Sequence, residues 1–367
     1  MMKRAVYYIV LTGVVLASLL FLGFSVFALL PPVLPKIVTL SDKIKTSEIS
    51  SMEYIKIGGV DQWIAILGRD ISKPVLLFLH GGPGMPETAW FLEYNLSLTE
   101  DFVVVLWEQR GAGKSFTKNV VPDMMKPDTF VEDVHELTAY LKKRFMKEKI
   151  YLTGHSWGSL IGLMCAARYP GDFYAFIGTG TPVGQQESEL LGYRWVLSNA
   201  IASGDMKAVQ ELKMIGAPTN GFYAGGVDSL IIERKWVQEL GGTIKGQSAI
   251  AILSKILLFS GVYTMEDKFR YLMGTDFSLR YLWEQALAID INAQSAKINV
   301  PVYLIHGQYD CQAFLSVVKK YFLKMKAQVK KLIVFDESAH FPMFEEPKKF
   351  HEIMTNIVLK ETLSKKK

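Results

Sequence analysis

The sequence predicts an α/β protein in which a mostly parallel sheet, covered by helices on both faces, is interrupted by an inserted helical cap. Short continuous apolar runs recur along the chain, which is typical of strands buried on both faces. Helical patterns separate these runs, as in a parallel sheet with crossover helices. Between about residues 183 and 296 the pattern becomes helical and irregular, with many glycine and aromatic residues.

The N-terminal segment, residues 1–35, is predicted to be a membrane anchor. The 26 residues from Ala5 to Leu30 carry no charge, and about 20 apolar residues span a bilayer as a helix. Prolines at positions 31, 32 and 35 end the run. A cleaved signal peptide, followed by secretion, is the alternative, but its apolar core is usually only about 7–15 residues long. A short basic N-terminal tail usually stays inside, so we expect the large domain on the extracytoplasmic side.

The first part of the core is predicted over residues 50–182. A strand pair turns at Gly58 and Gly59, and a helix is expected over Thr129–Phe145, starting with a capping box between Thr129 and Glu132. A small-residue helix follows over Trp157–Arg168. The predicted strands of this part are Tyr54–Ile57, Trp63–Leu67, Val75–Leu79, Phe102–Trp107, Ile150–Thr153 and Phe173–Ile177.

The cap is assigned to residues 183–296, and the core resumes over residues 297–367. Strands are expected at Val302–Ile305 and Lys331–Phe335. Helices are expected at Ala313–Met325 and at about Pro347–Leu363, where apolar residues recur on one side.

Composition excludes several classes of function. The net charge is +5, but no basic stripe with interleaved aromatic residues is present, so nucleic-acid binding is not predicted. The two cysteines and six histidines show no zinc-type spacing, and no metal or other cofactor is expected. The sequence does not indicate an oligomeric state.

The strongest motif is Gly154-His155-Ser156-Trp157-Gly158, which fits G-x-S-x-G between a predicted strand and a predicted helix. That context is typical of the nucleophile of the α/β-hydrolase fold. The turn is so tight that a Cβ at either glycine would clash, and it exposes the serine hydroxyl. A chance match is the alternative, and the strand-turn-helix placement favours Ser156 as a nucleophile.

A serine nucleophile needs a base, and this fold orders its triad as serine, acid, histidine. His340 follows the last predicted strand at the edge where sites of open α/β sheets lie, and is predicted to be the general base and acid. Asp310 follows the preceding strand and is predicted to orient it. Asp336 is a rival, but it stands only four residues before His340. His306 is interpreted as structural.

The tetrahedral intermediate requires two hydrogen-bond donors for its oxyanion. One is predicted to be the backbone N–H of Trp157, directly after the nucleophile. The other is expected from the glycine loop that follows Val75–Leu79, at the N–H of Gly82.

Three motifs together resemble the proline iminopeptidases and their relatives among the α/β-hydrolases: residues 80–84 (HGGPG), 108–115 (EQRGAGKS) and 154–159 (GHSWGS). Many members of that family have glycine where His155 stands. The resemblance implies an aminopeptidase that removes an N-terminal residue from short peptides and binds the free amino group with glutamates of the cap. The candidates for this role are Glu187, Glu189, Glu233 and Glu284, although most glutamates of a cap are simply solvated.

We therefore expect a serine hydrolase that acts through an acyl-enzyme, most simply an aminopeptidase of the proline iminopeptidase type on short peptides. A membrane-tethered carboxylesterase or lipase-like hydrolase is the alternative. A non-catalytic binding module is disfavoured, because such modules commonly lose a triad residue.

Overall fold

The computed structural model describes residues 31–35, 47–295 and 297–363. The predicted anchor, Ala5–Leu30, lies outside these residues. Within the described part of the chain, no helix is long and apolar enough to cross a bilayer.

The core is one twisted sheet of eight strands in the order β1-β2-β4-β3-β5-β6-β8-β10. Only β2 runs against its neighbours, so the described sheet is mostly parallel, as predicted. A separate two-stranded ladder joins β7 to β9. The strands are β1 Ile49–Ile57, β2 Val60–Gly68, β3 Val75–Leu79, β4 Val103–Glu108, β5 Ile150–His155, β6 Phe173–Thr179, β7 Lys297–Ile298, β8 Val302–Gly307, β9 Lys326–Ala327 and β10 Lys330–Phe335.

Helices cover both faces of the sheet, because alternate residues of each buried strand point to opposite sides. In β3, for example, Leu77 and Leu79 enter one apolar cluster and Leu76 and Phe78 enter the other. The core helices are α1 Thr88–Tyr94, α2 Pro127–Arg144, α3 Trp157–Arg168, α10 Leu315–Lys324, α11 Pro342–Glu345, α12 Pro347–Ile353 and α13 Lys360–Leu363. A π-helical turn, Met354–Leu359, joins the last two.

The helix of residues 127–144 begins differently from the prediction. Its N-cap is Lys126, no side chain caps it, and Pro127 occupies the first turn. Proline suits that position because its φ is preset and its missing N–H is not needed there. Glu132 instead accepts hydrogen bonds from Arg168 and Tyr169, so the predicted capping box is wrong.

The cap is inserted between β6 and β8 and has its own apolar cluster, which includes Tyr193, Val196, Leu212 and Trp236. Its helices are α4 Gln185–Ser203, α5 Met206–Ile215, α6 Gly226–Glu239, α7 Ala249–Phe259, α8 Met265–Leu287 and α9 Ile291–Gln294. The cap therefore lies over the carboxyl ends of the parallel strands, where the predicted site residues also lie.

Candidate active site

Ser156 lies in the sharp turn between β5 and α3. Its backbone has φ +48°, a left-handed conformation that residues other than glycine rarely adopt. A Cβ on Gly154 would lie 2.5 Å from the carbonyl oxygen of Gly158, and one on Gly158 would lie 2.2 Å from that of Leu79. The N–H of Ser156 donates to the Thr179 carbonyl of the neighbouring strand at 2.9 Å. The turn thus places the serine at a cavity of about 350 Å³ beneath the cap.

His340 and Asp310 come from the loops after β10 and β8 and meet in the protein interior. His340 Nδ1 lies 2.8 Å from Asp310 Oδ2. The other carboxylate oxygen accepts the backbone N–H groups of Gln312 and Ala313, at 2.8 and 2.9 Å. An ionised carboxylate only accepts, so Nδ1 carries a proton and Nε2 is left to exchange one. His340 lines the same cavity as Ser156.

The two groups have shifted pKa values. Burial lowers the pKa of His340, and the facing Asp310 charge opposes this shift only in part. Burial acts to raise the pKa of Asp310, but His340, its hydrogen bond and the nearby His306 bring it down to about 2. At neutral pH the site therefore contains a neutral imidazole held by an ionised carboxylate.

His306 supports the acid rather than the base. Its Nε2 lies 2.5 Å from the carbonyl oxygen of Ala313 and 3.3 Å from Asp310 Oδ2. The rival acid, Asp336, is exposed at the end of β10. The loop after β8 thus provides the carboxylate that contacts His340.

The glycine loop after β3 reaches the same cavity. Gly82 has φ +118°, and a Cβ there would lie 2.5 Å from the backbone nitrogen of Gly84, so only glycine fits. Gly82 and Trp157 both line the cavity. Within residues 47–295 and 297–363, the N–H groups of these two residues have no hydrogen-bond acceptor. Among the described residues, no protein group therefore competes for the two predicted oxyanion donors.

Gln109 connects this loop to the nucleophile turn. Its backbone N–H donates to His80 Nε2 at 3.0 Å, and its side-chain amide donates to the His80 carbonyl at 2.9 Å. Its amide oxygen accepts from Trp157 Nε1 at 3.0 Å. Burial lowers the pKa of His80 to about 4, which keeps that ring neutral. Through Gln109, the motif of residues 108–115 thus fixes the glycine loop relative to the nucleophile turn. These two segments carry the two candidate oxyanion donors.

Sequence reasoning missed a buried ion pair beside the nucleophile. His155 Nδ1 lies 2.6 Å from Glu87 Oε1, and both side chains are almost fully buried. His155 Nε2 lies 2.9 Å from the His340 carbonyl oxygen. The available signal was a histidine inside the G-x-S-x-G motif, where the related family often has glycine. Its partner could not be identified, because the two residues are 68 positions apart.

Two of the four predicted cap glutamates lie together under the cavity wall. Glu189 and Glu233 are fully buried and do not themselves line the cavity, but both pair with Arg234, which does. Burial, with the nearby Glu189 charge, raises the pKa of Glu233 above its usual range. Glu189 Oε2 and Glu233 Oε1 have no hydrogen-bond partner among the described residues.

The other two candidates lie elsewhere. Glu187 pairs with Lys320 on the surface, at 2.7 Å, and Glu284 is exposed on α8. Neither lines the cavity. Helix periodicity explains the separation on α4, because residues two positions apart point in different directions.

The cavity wall is mainly apolar, with few polar groups, as is usual for a small-molecule site. Its apolar lining residues include Leu160, Leu230, Leu253, Leu279, Trp283 and Phe341. Within the described chain, no cluster of side chains has the composition of a metal site.

An eight-stranded, mostly parallel sheet with an inserted cap and a serine in a strained strand-to-helix turn defines an α/β-hydrolase. Comparisons with known proteins agree. A profile of the family described as serine aminopeptidase, S33 matches residues 72–225. The probable aminopeptidase YbaC of Bacillus subtilis is 31% identical over 307 residues, which is 82% of this chain and 94% of the relative. The protein belongs to the serine aminopeptidase family S33, and is a hydrolase of that aminopeptidase class.

More distant relatives are similar over most of the chain. The proline iminopeptidase of Saccharolobus solfataricus is 23% identical over 319 residues, covering 83% of this chain and 91% of its own. The crystal structure of a proline iminopeptidase-related protein from Thermus thermophilus superimposes with a TM-score of 0.60 at 18% identity, covering 85% of this chain and 98% of that one. The structural likeness supports the fold.

Proposed function

We propose that the protein removes the N-terminal residue from short peptides, as a proline iminopeptidase-type enzyme. The observation that carries this proposal is the meeting of Ser156, in its strained turn, with the buried His340–Asp310 pair at one cavity. Family membership supplies the reaction class.

The geometry supports acyl transfer to water. Ser156 Oγ attacks the carbonyl carbon of the first peptide bond while His340 Nε2 takes its proton. The N–H groups of Gly82 and Trp157 stabilise the oxyanion. His340 returns the proton to the leaving amine, and the C–N bond breaks. Water, deprotonated by His340, then hydrolyses the ester and regenerates the serine.

Glu189 and Glu233 are proposed to attract the free amino group of the substrate. Two carboxylates around one guanidinium carry a net negative charge when both are ionised, and each retains an unpartnered oxygen. A substrate ammonium would compensate this charge. The apolar wall would hold the side chain of the first residue.

A carboxylesterase or lipase-like activity is the second candidate. It is favoured by the apolar lining of the cavity and by the uncharged run Ala5–Leu30. We further propose that this run is a single-pass anchor with the catalytic domain on the extracytoplasmic side.

The discriminating experiment uses the full chain in mild detergent, with Ser156→Ala as the inactive control. Proline, alanine and leucine nitroanilides are compared with their N-blocked forms and with nitrophenyl esters of rising chain length. Cleavage that requires a free amine supports the aminopeptidase. Cleavage of esters alone would overturn it in favour of the esterase.

A matched pair of variants tests the amine site. Glu189→Gln should raise KM for free-amine nitroanilides and leave ester hydrolysis nearly unchanged, because only the amine needs the charge. Glu187→Gln, on the same helix but facing solvent, should change neither. Equal effects of the two variants would contradict the assignment.

A further inference from the structure

The junction between α7 and α8 exposes a group of large apolar side chains. Leu258 and Phe259 end α7 with 48% and 69% of their surface exposed, and Phe269, Leu272 and Met273 on α8 are 61–63% exposed. We call these five residues the α7–α8 patch. Single exposed apolar residues are ordinary, whereas contiguous groups mark interaction surfaces.

The two helices that carry the patch are joined where α8 begins and α7 ends. Residues 269, 272 and 273 are three and four positions apart and share one face of α8. Lys268 Nζ donates to the carbonyl oxygen of Leu258 at 2.7 Å, which joins the start of α8 to the end of α7.

The chain leaves the uncharged N-terminal run at this junction. The N–H of Val33 donates to the Gly261 carbonyl, between the two helices, at 2.8 Å. Leu34 and Pro35 line a groove together with Leu92, Ile256 and Phe259. In the sequence Leu30, the last residue of the run, precedes Val33 by three positions, and three residues of chain reach at most about 11 Å.

Charged side chains of both signs stand at the border of the patch. Lys255 and Glu93 line the same groove, and Arg270, beside Phe269, pairs with Glu266. Basic side chains near a membrane are attracted to anionic headgroups.

We propose that the α7–α8 patch lies in the interfacial region of the lipid bilayer into which Ala5–Leu30 inserts. This inference rests on the membrane anchor proposed above. Ala5–Leu30 itself is a poor cover for the patch, because a helix without a polar face would leave apolar surface in water.

This orientation has a consequence for substrate access. The same two helices contribute Leu253, Thr275 and Leu279 to the wall of the catalytic cavity. A patch seated in the interface would therefore hold the cavity close to the headgroups. Substrates that partition into the interface, such as amphipathic peptides, would reach Ser156 at raised local concentration.

The test uses the full chain reconstituted into vesicles of equal parts phosphatidylcholine and phosphatidylglycerol. Phe269→Cys and Met273→Cys carry a nitroxide label, as does Met146→Cys, a 92% exposed position between α2 and β5, at the amino end of that strand. The native Cys165 and Cys311 are buried and should not react. Collision of each label with oxygen and with a water-soluble nickel complex is measured by electron paramagnetic resonance.

The expected result is a several-fold rise in the oxygen-to-nickel collision ratio at positions 269 and 273 on reconstitution, with no change at 146. Nickel access at all three positions, in protein that floats with the vesicles, would overturn the patch and leave the anchor standing. Labels shielded from both reagents without vesicles would show a protein cover and also overturn it. Protein that fails to float would overturn the anchor and the patch together.

Discussion

The Glu87 carboxylate and the His155 imidazole form a buried pair beside the nucleophile, with Oε1 2.6 Å from Nδ1. His155 Nε2 faces the carbonyl oxygen of His340 at 2.9 Å. A carbonyl only accepts, so Nε2 must carry a proton, and the contact with Glu87 requires a second one. The pair therefore holds two protons and has no net charge. Through its Nε2–H, His155 contacts the loop that carries the candidate base.

The first prediction concerns stability at alkaline pH. Burial acts to lower the pKa of His155, but Glu87 outweighs it and raises that pKa above 6.5. The pKa of Glu87 is also raised, in this case by burial itself. The folded state thus keeps a proton that the unfolded chain loses above pH 6.5. The free energy of unfolding should fall as pH rises from there, by up to about 1.4 kcal/mol per pH unit.

Glu87→Gln should remove this dependence, because the amide can donate to Nδ1 and leave a neutral ring that still donates from Nε2. Urea unfolding across this pH range measures the effect. Glu93→Gln, exposed on helix α1, which begins directly after Glu87, is the control and should retain the wild-type slope. An unchanged slope in Glu87→Gln would show that the pair does not hold the extra proton.

The second prediction concerns the orienting acid. Asp310→Asn should lower kcat by about three to four orders of magnitude, because an amide no longer holds the His340 tautomer. Asp336→Asn removes an exposed carboxylate of the neighbouring loop and should leave kcat near the wild-type value. The reverse order of effects would reassign the acid. Nitroanilide or ester turnover is the readout.

The third prediction concerns the acid limb of the pH profile. His340 must be neutral to accept the serine proton, and burial lowers its pKa below the ordinary 6.5. The kcat/KM of the enzyme should therefore rise with pH through a midpoint below 6.5. A midpoint above that value, for both amide and ester substrates, would mean that the Asp310 charge dominates over burial.

The fourth prediction concerns the glycine loop. Gly82→Ala should lower kcat more than it raises KM, because its Cβ would push the loop from Gly84 and displace an oxyanion donor. Removing one such donor costs about 10²–10³ in kcat. Gly59→Ala is the control: Gly59 also has a positive φ, but a Cβ there would meet no atom within 4 Å. The control variant should thus lose some stability and keep its kcat.

Much of the architecture was predictable because its signals are local. Apolar runs marked the buried strands, and the helix over Trp157–Arg168 has the predicted bounds. The turn at Ser156 was also accessible, since the steric need for Gly154 and Gly158 arises within five residues. The helix start at Pro127 was missed because the capping pattern of Thr129 and Glu132 is an equally local signal and competes with it.

The sequence by itself determined the α/β class, the nucleophile turn and the placement of the candidate site residues at the ends of strands. Only the tertiary structure decided which distant side chains meet: Glu87 with His155, and Arg234 with two of the four cap glutamates. The physical reason is that strand and turn geometry follow from neighbouring residues. Buried charges, in contrast, are stabilised by partners that the chain brings together only when the sheet and cap have packed.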